Sequence, residues 1–443
     1  MSADSRPNIV YIFTDQQSAT AMSCAGNPHL ETPAMDALVA RGVRFDCAYT
    51  SFPLCVPART SMFTGRMAHE SGVCDNHPGR GTGLPFPMLG RLMADSGYSC
   101  RYVGKWHIPS VSEEDATSHG FDRVVLGGGY GGLDSEKTEA ALEFIREKHD
   151  KPFFLTVSYN NPHDCCELSR GDALRMGRIP EPPAEEGGLP PLPGNFAVPE
   201  GEPECLREFQ RKYPRYLMAA DWAGRRARRY LWGYYRLTEM VDREIGRVLQ
   251  ALQDAGLEEE TAVIFASDHG DGGGAHRWNQ KWSLYDESAR VPLVVAGSAV
   301  ACAGSTEAAP VSAALDLMPT VLNLAGVSVP QGCRGRSLLP LLRGNRLDPA
   351  REFVACETGL GNLENEAPDD ICRGRMIRTG RFKYSAFERG TIREQLVDMQ
   401  VDPGEMVSLA ADEEHDAILA RHRRLLRDWC ALTGDDFEVP GET

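Results

Sequence analysis

Short apolar runs that alternate with helical patterns constrain the fold of this 443-residue chain more than any other feature. Residues 8–14, 153–159 and 262–266 are apolar runs of the kind that is buried on both faces of a parallel sheet. Helical patterns lie between them, the longest over residues 231–255, where apolar side chains recur at helical spacing. The alternation predicts an α/β fold: a large, mostly parallel sheet flanked by helices and joined by right-handed crossovers.

The pattern changes in the last quarter of the chain. Short alternating segments separated by turns are followed by a helical stretch at about 415–432, which predicts a smaller antiparallel α+β subdomain. We therefore expect one domain over residues 1–345 and a C-terminal subdomain over 346–443. The stretch from about 165 to 225 is rich in proline and glutamate and reads as an irregular insertion, either a loop that covers a ligand or a purely structural excursion.

Composition excludes several classes of protein. The net charge of −16 argues against a nucleic-acid binder, because phosphate binding depends on Lys and Arg. Neither a signal-peptide pattern nor an apolar run long enough to cross a membrane occurs in the sequence. The 13 cysteines are irregularly spaced, without the paired spacing of a zinc site. We expect a cytoplasmic protein with neither a nucleic-acid nor a membrane partner.

Chemically capable side chains follow the predicted strands at the point where each strand ends. They are Asp15, Lys105, His163, Asp268 and His269. Ligands of open α/β sheets bind outside the carboxyl ends of the strands, so this topology brings these distant positions to one rim. The sequence therefore predicts a single site there.

A divalent cation is the first ligand that this rim suggests. The candidate ligands are two carboxylates, an amide oxygen and an imidazole, near a cysteine: Asp15, Gln16, Asp268 and His269, with Cys55. Two carboxylates roughly neutralise one divalent charge, so the site could still attract an anion. A set of ligands that is rich in oxygen atoms favours Ca²⁺, Mg²⁺ or Mn²⁺ over softer metals.

The segment Cys55-Val-Pro-Ala-Arg59 reads as the start of a helix. Pro57 suits the first turn, where its missing N–H would have no acceptor. Cys55 would then lie at a helix N-terminus, which favours an anion, with the fixed charge of Arg59 one turn along. Two readings stay open on these residues alone: an activated cysteine or anion site, and a small buried apolar side chain.

The longer string from Cys55 to Arg66 resembles the signature of the type I sulfatases of the alkaline phosphatase superfamily, Cys/Ser-x-Pro-x-Arg followed by Thr-Gly-Arg. Gly104-Lys-Trp-His107 and Ser267-Asp-His-Gly-Asp271 are similar to further sulfatase motifs, and the likeness extends into the C-terminal subdomain. The resemblance implies an alkaline-phosphatase-like fold. It also implies that a formylglycine-generating enzyme oxidises Cys55 to formylglycine, whose hydrated aldehyde is the nucleophile.

The resemblance assigns roles to the other positions that match. The catalytic residues that it implies are Cys55, Arg59, Lys105, His107, His163 and Lys281. Lys105, His163 and Lys281 would contact the sulfate, and His107 would act as a base. The metal would be Ca²⁺, with Mn²⁺ or Mg²⁺ as alternatives. The expected substrate is a small-molecule or oligosaccharide sulfate ester, preferably a sulfated carbohydrate, with His276, Arg277, Asn76 and His77 as candidate contacts.

Two departures from the family pattern keep an alternative open. Gln16 stands where many sulfatases have a second aspartate, and His269 where some have asparagine. Both departures recur in the phosphonate monoester and phosphodiester hydrolases of the same superfamily, so hydrolysis of those esters is the alternative function. An anionic-glycan binder without turnover, or an enzyme that uses the Cys55 thiol directly, are more distant alternatives.

Overall fold

The computed structural model describes residues 6–77, 84–108, 119–124, 131–214, 216–361, 366–367 and 370–441. The strands in this part of the chain are β1 (Asn8–Asp15), β2 (Gly42–Phe45), β3 (Ala48–Tyr49), β4 (Ser99–Gly104), β5 (Asp122–Val124), β6 (Phe153–Pro162), β7 (Thr261–Ser267), β8 (Leu293–Gly297), β9 (Ser305–Glu307), β10 (Val311–Ser312), β11 (Val354–Leu360), β12 (Cys372–Arg378), β13 (Phe382–Phe387) and β14 (Glu394–Asp398). The α-helices are α1 (Pro33–Ala40), α2 (Cys55–Thr64), α3 (Ala68–Ser71), α4 (Leu89–Asp95), α5 (Asp134–Arg146), α6 (Cys165–Arg170), α7 (Glu204–Lys212), α8 (Gly224–Asp254), α9 (Asp286–Ala289), α10 (Leu317–Leu324), α11 (Leu339–Leu342) and α12 (Asp416–Thr433).

The large sheet has the strand order β5-β4-β6-β1-β7-β8-β2-β9. β1 at its centre runs parallel to β6 on one side and β7 on the other, and β4 runs parallel to β6. The predicted α/β fold with a mostly parallel sheet is therefore confirmed. β8 is the exception, since it runs antiparallel to β7 and to β2. An antiparallel neighbour needs no crossover helix, and only a 3₁₀ turn (Ala275–Arg277) and the short α9 lie between β7 and β8.

Both faces of the large sheet are buried, as the continuous apolar runs require. In β1, Ile9, Tyr11 and Phe13 belong to the apolar cluster on one face, whereas Val10 and Ile12 belong to the cluster on the other. The long helix α8 packs its apolar stripe into the second of these clusters. The central strands are thereby held rigidly, which fixes the positions of the residues at their carboxyl ends.

The C-terminal part forms a second sheet of four antiparallel strands in the order β11-β12-β13-β14, against which α12 packs. The predicted antiparallel α+β arrangement of the C-terminal part is thus confirmed. A buried ion-pair cluster ties it to the first domain, because Lys383 Nζ of β13 lies 2.8 Å from Asp286 Oδ1 and 2.7 Å from Glu405 Oε1. Within the described ranges, every helix is either too short or too polar to cross a bilayer.

Candidate active site

Helix α2 begins at Cys55, which is wholly buried together with the other nine residues of the helix. Leu54 precedes it in an extended conformation, Pro57 lies in the first turn as predicted, and Gly65 ends the helix in the left-handed region with φ 65°. The helix therefore directs the positive end of its dipole at residue 55, while the Val56 N–H of its first turn donates to Asn76 Oδ1 at 3.0 Å.

Charged and polar groups surround the Cys55 sulfur. Lys281 Nζ lies 3.0 Å from Sγ, His269 Nε2 3.2 Å and Asp15 Oδ1 3.6 Å. Burial by itself would raise the pKa of Cys55, but Lys105, Lys281 and His269 bring this pKa well below the ordinary thiol value. The position thus favours an anion, which argues against the reading of Cys55 as an inert apolar side chain.

Arg59 holds the two aspartates of the rim together. Its Nη2 donates to Asp15 Oδ2 at 2.7 Å and its Nε to Asp268 Oδ2 at 2.8 Å, while Lys105 Nζ donates to Asp15 Oδ2 at 2.6 Å. Charge-assisted bonds of this kind fix the carboxylate orientations. Each aspartate therefore turns its other oxygen, Oδ1, toward His269, 3.7 Å from Nε2 in both cases.

The two carboxyl groups have pKa values that are pushed in opposite directions. Burial and the neighbouring Asp15 raise the pKa of Asp268. Burial and Cys55 act in the same direction on Asp15, but Lys105, His163 and Arg59 outweigh them and hold the pKa of Asp15 well below its usual range. Closely spaced carboxylates with separated pKa values are typical of functional sites.

Ligand-type atoms of Asp15, Cys55, Asp268 and His269 all lie within 4.8 Å of one another, which makes a possible metal site. Two carboxylate oxygens and one imidazole nitrogen around residue 55 fit a hard divalent cation. Gln16, the other predicted ligand, has different partners: its Nε2 donates to Asp271 Oδ2 at 2.7 Å and its Oε1 lies 3.4 Å from the Cys166 sulfur. A ligand role for Gln16 therefore stays a prediction.

The rim opens into a cavity of about 590 Å³. The predicted residues that line it are Cys55, Asn76, His77, Lys105, His107, His163 and Lys281. Burial and Lys105 lower the pKa of His107 to about 4, so its imidazole is neutral and able to accept a proton at ordinary pH. Burial would lower the pKa of His163, but Cys166 and Asp15 reverse this and raise it, which suits a proton donor.

The insertion contributes cavity residues that the sequence did not indicate individually. They are Cys166, Glu167, Arg170, Asp172, Arg175, Phe209, Tyr213 and Tyr216. The expectation that this stretch is irregular is wrong at α6 and α7, which are regular helices inside it. The one sequence signal that these residues could line the cavity was their position, since the insertion begins directly after His163. Trp282, which also lines the cavity, could have been inferred from its place beside Lys281.

The structure places His276 and Arg277 elsewhere than expected, because neither is among the residues that line the Cys55 cavity. His276 is buried, its ring stacked on that of Tyr285 at 3.7 Å and its Nε2 3.6 Å from Glu287 Oε2. Arg277 donates to the Trp222 carbonyl at 2.8 Å and lies over the Phe196 ring. Both side chains support the structure around the loop before Lys281.

Fold and site together define a hydrolase of the alkaline phosphatase superfamily. The family model "Sulfatase" matches residues 7–327, and the model "N-sulphoglucosamine sulphohydrolase, C-terminal" matches residues 274–430. The chain belongs to the sulfatase family.

Individual relatives agree with this assignment. The chain is 32% identical to a Δ4,5-hexuronate-2-O-sulfatase of Bacteroides thetaiotaomicron, over 98% of this chain and 91% of the relative. Its structure is similar to that of a 2-O GAG sulfatase, with 29% identity, a TM-score of 0.84 and coverage of 99% and 95% of the two chains. It is also similar to a phosphonate monoester hydrolase of Agrobacterium radiobacter, with 23% identity, a TM-score of 0.79 and coverage of 97% and 96%.

Proposed function

We propose that this sulfatase removes a sulfate ester from a carbohydrate, using a formylglycine that a formylglycine-generating enzyme makes from Cys55. The observation that carries the proposal is the position of Cys55, buried at a helix N-terminus with Lys281 Nζ 3.0 Å and His269 Nε2 3.2 Å from its sulfur. In the mature protein an aldehyde hydrate would take the place of this sulfur. Its oxygens would then face the same cations and the same cavity.

A sulfated sugar fits the cavity better than a flat aryl group. Its volume of about 590 Å³ lies in the usual range for small-ligand sites. Aromatic rings and several hydrogen-bonding side chains line it together, which suits a ring that carries hydroxyl groups. The relatives point to the same class, since one is a Δ4,5-hexuronate-2-O-sulfatase and one solved structure is a 2-O GAG sulfatase. We therefore take an unsaturated hexuronate 2-O-sulfate as the first substrate to test.

The proposed cation would be held by Asp15, Asp268 and His269, with Ca²⁺ as the first candidate and Mn²⁺ or Mg²⁺ as alternatives. When bound, it supplies positive charge that stabilises the oxygens on residue 55 and on the sulfate. The aspartates are already oriented by Arg59, so little reorganisation accompanies binding. Lys105 and Lys281 add fixed positive charge beside the reacting group and stabilise the charge that builds up on the sulfate oxygens.

Two histidines and Asp268 would move the protons. One hydroxyl oxygen of the residue 55 hydrate would form a bond to sulfur and pass its proton to Asp268. His163 would donate a proton to the ester oxygen as the S–O bond to the alcohol breaks, so that the alcohol leaves neutral. His107 accepts the proton of the hydroxyl group that remains on residue 55, which lets that carbon re-form its aldehyde while sulfate leaves. The pKa of His163 is raised and that of His107 is lowered to about 4, in the directions that an acid and a base need.

Sulfate release from an unsaturated disaccharide that carries a hexuronate 2-O-sulfate tests the proposal, measured by ion chromatography. Cys55→Ala should abolish turnover, while Cys302→Ala, a half-buried thiol outside the cavity, should retain it. Near-normal release by Cys55→Ala would refute the proposal. An aryl phosphonate ester, assayed in parallel, tests the alternative reaction. This assay is needed because the likeness to a phosphonate monoester hydrolase, at 23% identity, shows only a shared fold.

A further inference from the structure

A second large cavity lies between the insertion and the start of helix α8. Its volume of about 1080 Å³ is at the upper end of the range for small-ligand sites. Residues between 168 and 182 form one wall and residues between 222 and 233 form the other. The buried rings of Trp222, Tyr230 and Trp232 also line it. A cavity of this size suits an organic ligand rather than a single small ion.

Four arginines and two acidic side chains are the charged residues of this cavity, which we call the arginine groove. They are Asp172, Arg178, Glu181, Arg225, Arg226 and Arg229. Asp172 accepts from Arg170 Nε at 2.8 Å, and Arg170 lies outside the groove, so one of the two negative charges is already compensated. Within the described ranges, the ion pairs around the groove use Arg170, Arg175 and Arg228, and none of them uses a groove arginine. The groove is therefore positively charged, although the net charge of the whole protein is −16.

Three of the groove arginines lie at the start of α8. Arg225 and Arg226 are in its first turn, and Arg229 follows them at the spacing of neighbours on one helix face. Arg225 Nη2 donates to the Ala184 carbonyl at 2.9 Å, and Arg226 Nη2 donates to the Ser169 carbonyl at 3.2 Å. Both acceptors are neutral, so these bonds position the side chains without compensating their charge. The positive end of the helix dipole adds to the same field.

The arginine groove adjoins the Cys55 cavity across a short segment of the insertion. Arg170 lines the Cys55 cavity, Gly171 lines the groove, and Asp172 lines both. Gly171 and Asp172 are exposed, so an extended ligand can cross from one cavity to the other over the protein surface. A molecule that reaches Cys55 with one end can therefore place its following part in the groove.

We propose that the arginine groove binds the anionic sugar residues that follow the one whose sulfate ester is hydrolysed, an inference that rests on the proposed function. A guanidinium group keeps its charge at every working pH and binds oxyanions through paired N–H donors. An oligosaccharide with sulfate or carboxylate groups beyond the reacting ring therefore gains affinity in the groove. A shorter substrate that ends inside the Cys55 cavity does not, so the protein selects longer anionic chains.

The test compares a disaccharide and a sulfated tetrasaccharide that share the same terminal unsaturated hexuronate 2-O-sulfate. The wild type should hydrolyse the tetrasaccharide with the higher kcat/KM. Arg178→Gln combined with Arg229→Gln removes two exposed charges of the groove. An exposed charge pair contributes a factor of up to about five to an equilibrium constant, so this double variant should lower kcat/KM for the tetrasaccharide about tenfold, mainly through KM. Its kcat/KM for the disaccharide should stay within about twofold of the wild type, which also shows that it folds.

A second tetrasaccharide, without sulfate groups outside the terminal ring, identifies the anion that the groove binds. If the wild type prefers this tetrasaccharide to the disaccharide as strongly as it prefers the sulfated one, the anion is a carboxylate. If only the sulfated tetrasaccharide is preferred, the anion is a sulfate group.

Arg211→Gln combined with Arg424→Gln is the matched control, since it removes the same charge from exposed positions outside both cavities. It should leave the ratio of kcat/KM between tetrasaccharide and disaccharide at the wild-type value. Equal kcat/KM of the wild type for both chain lengths, or a ratio that the groove variant does not lower, would overturn the groove, while hydrolysis of the disaccharide still upholds the proposed function. A wild-type protein that releases sulfate from neither sugar overturns the proposed substrate class and the groove together.

Discussion

Replacing Arg59 by methionine should destabilise the protein strongly in the absence of metal. The Arg59 side chain is wholly buried and donates to Asp15 Oδ2 at 2.7 Å, to Asp268 Oδ2 at 2.8 Å, to the Lys105 carbonyl at 2.8 Å and to Ser158 Oγ at 2.9 Å. Methionine fills a similar volume without charge. The variant therefore isolates the electrostatic contribution of the guanidinium from a cavity effect.

The expected loss in the free energy of unfolding depends on which partners the buried groups around Arg59 keep after the substitution. Asp15 keeps the ammonium of Lys105 at 2.6 Å, and the Lys105 carbonyl keeps the Tyr102 hydroxyl at 2.6 Å. Asp268 loses its guanidinium and stays buried. Removing one partner of a buried ion pair costs about 3–5 kcal/mol, and because Asp15 remains compensated we expect a loss of about 3 kcal/mol in the free energy of unfolding.

Urea unfolding in EDTA and in Ca²⁺ measures both the loss and its dependence on metal. Ca²⁺ at about 100 times its dissociation constant should stabilise the wild type by about 2.7 kcal/mol. It should stabilise Arg59→Met at least as much, because a divalent cation between Asp15 and Asp268 replaces the lost positive charge. Arg91→Met is the control, since Arg91 pairs with Asp95 on the surface, where an ion pair contributes only about 0–1 kcal/mol. A loss in EDTA no larger than that of Arg91→Met would refute the reasoning.

Three other predictions concern catalysis and stability. Lys281→Ala should lower kcat for sulfate release by about 10²–10³-fold, as expected for loss of a group that stabilises transition-state charge, and an unchanged kcat would remove Lys281 from the mechanism. Dialysis against EDTA should abolish sulfate release and added Ca²⁺ should restore it, whereas full activity of protein shown by elemental analysis to be free of metal would exclude a metal role. Burial raises the pKa of Asp242 to about 6, above its unfolded value, so its contribution to stability is present at low pH and is lost as the pH rises through about 4 to 6. Asp242→Asn should therefore flatten the dependence of unfolding free energy on pH between about 4 and 7, and an unaltered slope in urea unfolding would contradict this.

The long periodic elements and the positions of the rim residues were predictable from sequence. β1, β6 and β7 read as continuous apolar runs, and the topology of a parallel sheet brings Asp15 and Asp268 together from either end of the domain. The direction of β8 was not predictable, because an apolar strand carries no signal of whether it runs parallel or antiparallel to its neighbour. Helices α6 and α7 were missed because proline-rich stretches around them hide short helical patterns.

The lining of the cavity was harder to predict than the residues around Cys55. Proximity in sequence suggested His276 and Arg277, but these residues have positive φ values of 52° and 57° in a tightly turned loop, and their side chains are absent from the lining of the Cys55 cavity. Glu167, which does line this cavity, gave no sequence signal. Motifs specify the side chains around residue 55, whereas the rest of the cavity depends on how the insertion packs.

The central claim is that residue 55, once oxidised, is the nucleophile for sulfate ester hydrolysis. Peptide mass analysis of residue 55 in protein produced with and without a formylglycine-generating enzyme, paired with sulfate release by the same preparations, tests it most directly. We expect turnover to rise in proportion to the fraction of residue 55 present as the aldehyde. Full turnover by protein that carries only the unmodified thiol at this position would contradict the claim.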